Sequence, residues 1–427
     1  MKTLLVIGYV WPEPRSSAAG SRMLQLLEVF RQAGFRLVFG SPADHSPHAA
    51  DLAALDIEAV SLTLNCSSFD DYIRTLQPDV VLFDRFMMEE QFGWRVDEHC
   101  PQALRILDSE DLHFLRHARH TELKQRLAAG ESGLLELPAI KHLYSDMAIR
   151  EVASILRCDL TLTISEYEMA LLQSHFQVPA SQLLYCPFML PVSPSQTLPG
   201  FDERQHFVSI GNFRHEPNWD AVRYLKESLW PLIRQQLPAA ELHVYGAYPP
   251  KKATDLHNPK QGFLVKGWAE DALEVVRSAR VLLAPLRFGA GLKGKLVDAA
   301  QCGTPAVTTP IGAEGMYGDD AEPCALVADS PADFAAMAVQ LYLDESLWQS
   351  LNHHSMGLVA RRFAYPEHAA CLQERLQTLL LAPEQHRQSL FFNAMLRHHS
   401  LKSTRYMAQW IEAKNRLKQQ DILLPRN

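Results

Sequence analysis

Short, nearly unbroken apolar runs alternate with longer stretches of three- and four-residue apolar spacing along almost the whole chain. The runs Thr3–Ile7, Arg36–Phe39, Val80–Phe83, Ala103–Leu107 and Leu160–Ile164 are rich in Val, Ile, Leu and Phe. They show little polar alternation, which suits strands covered on both faces. Between them, segments such as Arg22–Ala33 carry the helical period, and Ser165 with Glu168 forms an S-x-x-E capping box predicting a helix over 166–175. Alternation of this kind confines the chain to parallel, doubly wound sheets. A second series follows, with strands predicted at Phe207–Ile210, Glu241–Tyr245, Phe263–Val265, Val281–Leu286, Ala306–Thr308 and Cys324–Val327. Pro187, Pro191, Pro194 and Pro199, interspersed with serines, read as a semi-rigid connector between the two series. The expected organisation is therefore α/β, with one Rossmann-like domain over 1–190, a second over 204–383 and a helical tail over 384–427. Gly8 and Gly211 end the first strand of each series, as if two similar sheets face one another across a ligand-binding cleft.

Composition agrees with this plan. With 427 residues, 47% of them hydrophobic, the chain has length for two to three cored domains and is too apolar for disorder. The apolar run Leu4–Val10 is far shorter than the ~20 residues of a membrane span and reads as a buried strand, not a secretory signal. Seven cysteines form no C-x-x-C pair, so reduced thiols and a cytoplasmic location are expected. A net charge of −8 argues against nucleic acid as a partner. The charge is uneven: residues 384–427 hold eight Lys/Arg against three acidic residues, while the rest carries −13. Leu390, Phe391, Ala394, Met395, Met407, Trp410 and Ile411 keep helical spacing there. A basic amphipathic helix suits peripheral contact with an anionic inner membrane face or an acidic protein; a helix packed on the body is the alternative.

The stretch most informative about chemistry is VLLAPLRFGAGLKGKLVDAAQCGTPAVTTPIGAEG, residues 281–315. A strand leads into a glycine-rich loop and then a helix starting near Lys293 or Lys295. Glycines at 289, 291 and 294 let backbone amides approach an anion, the helix start adds partial positive charge, and Lys293 and Lys295 supply full charges. A phosphate is a physically sensible ligand. G-A-G-L-K-G also fits a dinucleotide fingerprint, but it follows the fourth strand of its series instead of the first. The Walker pattern fails because Leu296 stands where a magnesium-holding hydroxyl belongs.

These residues carry a family resemblance. Strand, G-A-G, lysine, L-V-D-A-A-Q-C-G-T-P-A-V and G-A-E-G resemble the nucleotide-sugar site of glycosyltransferases with the GT-B fold, closest to the retaining family 4 group. F-V-S-I-G-N-F-R-H-E-P-N-W-D-A-V (207–222) resembles the opening of that family's second domain. F-D-R-F-M-M-E-E-Q-F-G-W (83–94) and L-D-S-E-D-L-H-F-L-R (107–116) resemble first-domain segments. The resemblance implies a nucleotide-diphosphate sugar as donor, an unidentified acceptor and no separate cofactor. It implies that Arg214 and Lys295 contact the donor diphosphate with Lys293 and Gly291 beside them. Asp298 would hold the ribose, and Glu314 and Gly315 would lie near the diphosphate or sugar, with Gly20 facing them across the cleft. The family's second glutamate, eight positions before Asp298, is Ala290 here, so sugar recognition must differ.

Cations and helix amides aimed at a departing diphosphate are the largest lever for glycosyl transfer, and no D-x-D occurs to hold a divalent ion. His113 and Asp111 follow a strand end and could serve the sugar–acceptor side, or be a helix residue and its cap. His113, His117 and His120 share a helical face but lack further ligands for zinc, so no metal is expected. Trp268, after Gly267, could stack on the nucleotide base or be a core or interface tryptophan. A nucleotide-sugar epimerase or hydrolase of the same fold and a non-catalytic binding protein are the alternative functions.

Overall fold

The computed structural model describes residues 1–131, 140–192, 198–318 and 324–423. Its first sheet contains β1 (Thr3–Ile7), β2 (Arg36–Ser41), β3 (Glu58–Ser61), β4 (Val80–Asp84), β5 (Leu104–Asp108), β6 (Leu160–Thr163) and β7 (Leu183–Tyr185). Its second contains β8 (Gln205–Ile210), β9 (Leu242–Tyr245), β10 (Phe263–Gly267), β11 (Ala279–Ala284), β12 (Ala306–Thr308) and β13 (Ala325–Val327). The sheet orders are β3-β2-β1-β4-β5-β6-β7 and β10-β9-β8-β11-β12-β13, and every strand pair is parallel. Each order reverses beside its first strand, between β1 and β4 and between β8 and β11. Ligands of doubly wound sheets bind at that switch, beyond the carboxyl ends of the strands.

Burial on both faces explains the unbroken apolar runs. Leu4, Leu5, Val6 and Ile7 are all fully buried, with Leu5 and Ile7 in one core layer and Leu4 and Val6 in the other. Two further layers, one around Phe207, Val281 and Leu283 and one around Val208, Leu282 and Ala284, cover the second sheet. The two strands without a sequence signal are short edges: β3 is Glu-Ala-Val-Ser, largely exposed, and β7 has three residues.

Three local expectations differ from the structure. The first helix begins at Ala18, a turn earlier than its apolar period, because Ser17 caps it by accepting from the Gly20 amide at 3.0 Å. Ser165 does precede helix Glu166–Phe176, but its side chain makes no cap bond, and Glu168 points away into the cleft. Helix Tyr365–Leu381, placed by the sequence in the second domain, packs on the first. The main chain crosses over where Leu190 donates to Phe363 O at 2.7 Å and Tyr365 donates to Leu190 O at 2.8 Å. Leu372, Leu376 and Leu379 then join the layer containing Leu26, Leu27 and Phe30. A helical stripe has the same period whichever sheet covers it.

The tail forms helix Phe391–Leu423 against the first domain. Leu390, Asn393 and Ala408 are buried there, and Ala408 contacts Trp94. No helix among the described residues is long and apolar enough to cross a membrane. None of the seven cysteines, all among the described residues, is in a disulfide.

Candidate active site

The carboxyl end of β11 runs through Leu286 into the glycine-rich loop and then helix Gly294–Gln301, whose N-cap is Lys293. Gly291 has φ 65°, a left-handed conformation open mainly to glycine. Lys293 is buried, and its Nζ folds back to donate to Ala290 O and Gly291 O. Lys295 donates to Asn218 Oδ1 at 2.9 Å, and Asn218 donates in turn to Asn212 O at 3.0 Å. Burial pushes both amines down to about 8 and the Asp298 carboxyl up to about 7; for Lys295 and Asp298 it outweighs their mutual attraction. The two lysines thus have a poor environment for their own charges, which an anion would correct.

Three glycines of this half meet the first domain across the cleft. A Cβ on Gly294 would lie 2.4 Å from Ala18 Cβ at the start of the first helix. One on Gly291 would lie 2.9 Å from Asp111 Cβ, and one on Gly315 2.6 Å from Ser165 Oγ. Only the missing side chains permit this approach. Arg119, buried in helix His113–Ala128, donates to Gly289 O at 2.8 Å and bidentately to Glu314 at 2.9 and 2.6 Å. Glu168 Oε1 accepts from the Leu112 amide at 3.0 Å and the Gly291 amide at 2.7 Å, while its Oε2 has no hydrogen-bond partner among the described residues. Burial and the nearby Asp111 raise this carboxyl to about 8.

The sequence-predicted residues fall into two groups. Lys293, Lys295, Gly291, Glu314, Gly315 and Asp111 converge at this junction. Asp111 is paired with Arg116, and against the opposing effect of burial, Arg116, His113 and His215 hold its carboxyl below the usual range. His113 Nδ1 lies 3.2 Å from Asp111 O and 3.5 Å from Glu151, with its ring edge-on to Phe86. Gly20 sits at the first helix start, tight against the Glu13 backbone. Arg214 and Trp268 lie towards the rim. The Arg214 guanidinium stands 3.5 Å from the Tyr248 ring centroid. Trp268 donates to Arg15 O at 3.3 Å and packs on His48, so it bridges the two domains. His120, of the histidine face, stacks on Phe288 and pairs with Glu216.

Arg116, Arg119, Glu168, His215 and Asn218 are site residues that the sequence did not single out. The enclosure of the cleft and the cations Arg116, Lys295 and Lys293 hold the His215 imidazole below its ordinary range. Arg116 and Arg119 stand at i, i+3 on one helix, a visible signal, but Glu314 is 195 residues from Arg119. Among the described residues, one carboxylate trio, Asp84, Asp108 and Glu110, has oxygens close enough to share a cation. Arg22 and Arg85 already neutralise it, Arg22 on Asp108 at 2.5 Å and Arg85 on Asp84 at 3.1 Å.

Residues 204–344, about a third of the chain, match the family model described as Glycosyl transferases group 1. The chain is a glycosyltransferase. Its two sheets with a cleft between them are the GT-B arrangement, shared with several solved structures. Sucrose-phosphate synthase from Thermosynechococcus elongatus superposes with a TM-score of 0.64 at 15% identity, covering 90% of this chain and 100% of that one. Anabaena HepE in complex with UDP-glucose gives 0.64 at 12% identity, covering 89% and 100%. A glycosyltransferase from Rickettsia africae gives 0.62 at 10% identity, covering 89% and 98%. At these identities the likeness concerns the fold of this glycosyltransferase. No curated protein sequence matches the chain.

Proposed function

We propose that this glycosyltransferase moves a sugar from a nucleotide-diphosphate donor to an acceptor with retention of configuration and without a metal ion. The observation that carries the reading is the start of helix Gly294–Gln301, where burial depresses Lys293 and Lys295 on either side of Gly294, the residue that packs on Ala18 of the first domain. Lys295 and Lys293 take the diphosphate, with Arg214 at the rim and the Gly291, Glu314 and Gly315 backbone alongside. Asp298 takes the ribose, and the base is assigned to Trp268. Protein cations stabilise the leaving diphosphate, the role a divalent ion would otherwise fill. His113 and Asp111, with Gly20 opposite, serve the sugar and acceptor side. The binding of UDP-glucose by HepE, of the same fold, supports a nucleotide sugar as donor. Ala290 favours a second reading, a protein that binds the nucleotide sugar without transferring it, since the loop lacks the carboxylate that usually grips the sugar.

Calorimetric titration of the full chain with UDP, GDP, ADP and TDP is the direct test. One of them binds; if none does, the site assignment fails. Incubating the corresponding nucleotide sugar with mixed saccharide and lipid acceptors then separates transfer from binding alone. The proposal also fixes a pH dependence. The charged amines bind the diphosphate, so affinity falls as pH rises through about 8, where free Lys293 and Lys295 lose their protons. Each amine contributes a loss of up to roughly tenfold per pH unit. Titrations at pH 7, 8 and 9 check this, and a flat profile removes the lysines from the diphosphate contact.

A further inference from the structure

We propose that the outer face of helix Phe391–Leu423 docks on an anionic lipid surface. The inner face of this helix is spent on the first domain. Ala408 packs on Trp94, Asn393 donates to Cys158 O at 3.1 Å, Arg397 donates to Asp97, and Glu412 accepts from the Ser67 amide at 3.1 Å. At about 100° per residue, Phe392, Met395, Tyr406, Trp410 and Leu417 project from the opposite side. All five are exposed, Tyr406 at 65% and Trp410 at 59%. Among the described residues, nothing covers these apolar side chains. Large apolar side chains exposed in two groups along one helix face, Phe392 with Met395 and Tyr406 with Trp410 and Leu417, mark an interaction site.

Its chemistry selects the occupant. Lys414 lies 5.0 Å from the Trp410 ring centroid, and Lys418 continues the same edge one turn on; both are exposed. Between Phe391 and Lys418 the one acidic residue, Glu412, faces inward to Ser67 and Arg95. The outer face therefore combines aromatic and thioether side chains with a lysine edge. Aromatic rings settle at the headgroup level of a bilayer, and lysines beside them reach outward to phosphate. A second copy of the chain would instead bring one lysine edge towards another, with no acid on the face to neutralise it.

Sedimentation of the full chain with vesicles tests the assignment. Vesicles of phosphatidylcholine with about 30% phosphatidylglycerol are expected to bind it at least about tenfold more strongly than phosphatidylcholine alone, and about 0.5 M salt should weaken the binding. The double variant Tyr406→Glu, Trp410→Glu should lose at least about tenfold. Lys414→Glu with Lys418→Glu should abolish the preference for the anionic vesicle. These side chains are exposed, so the melting temperature should hold in both variants; if one shifts it, the other decides. Absence of vesicle binding by the wild type, or unchanged binding by the variants, overturns the proposal. So does a wild-type dimer that the variants dissociate without any vesicle binding, which assigns the face to a second copy.

Discussion

Lys295→Ala weakens binding of the preferred nucleoside diphosphate by roughly 1.5–3 kcal/mol, about ten- to a hundredfold in Kd, the scale of a hydrogen bond to a charged group. The effect is large because the amine is enclosed in the cleft, where its own charge is disfavoured and a diphosphate restores it. The same variant weakens inorganic pyrophosphate in proportion, since the proposed contact is to phosphate and not to nucleoside. Asp298→Ala behaves differently: it weakens the nucleoside diphosphate and leaves pyrophosphate nearly unchanged, because the carboxyl is assigned to ribose. Titrating both ligands into both variants reads four numbers whose pattern is specific. Equal losses for the two ligands in Asp298→Ala would remove the ribose assignment, and an unchanged Kd in Lys295→Ala would remove the diphosphate one.

Arg22→Ala lowers stability by roughly 3–5 kcal/mol, the usual consequence of removing one partner from a buried ion pair. For a domain of this size that corresponds to a fall of about 6–20 °C in apparent melting temperature. Arg22 is fully buried on the first helix; it donates to Asp108 at 2.5 and 2.7 Å and to Cys186 O at 3.2 and 2.8 Å, with Glu110 at 3.5 Å. Its removal leaves Asp108 beside Asp84 and Glu110, two carboxyls that burial already raises and that Asp108 raises further. The sign of the pH dependence follows. A carboxyl raised in the folded state is stabilised by protonation, so the deficit against wild type shrinks as pH falls from 8 to 5. Thermal unfolding at both pH values measures it; a change under about 2 °C at pH 8 would show that the trio does not depend on Arg22.

The parallel α/β architecture was legible because strands buried on two faces cannot alternate with polar residues, and eleven of the strands declare themselves as apolar runs. The glycine-rich loop was legible because its glycines and lysines are contiguous. What escaped was whatever depends on a partner distant in sequence. Arg119 and Glu314 become a pair only once two domains meet, and Glu168 has the spacing of a capping box while its carboxyl serves the Leu112 and Gly291 amides. Helix Tyr365–Leu381 escaped for the same reason, since its stripe does not encode which sheet it covers.

The contact between Ala18 and Gly294 leaves no room for a diphosphate between the two helix starts. A donor seated there, as proposed, would require a more open arrangement, in which Arg119 releases Glu314 and Glu168 releases the Gly291 amide. The observed affinity is then the intrinsic affinity multiplied by the fraction of molecules in that arrangement. Arg119 and Glu168, to which no donor contact is assigned, would help to set that fraction. The bridge between the domains would then act as a threshold on substrate concentration, one whose strength can drift through Arg119 and Glu168 alone.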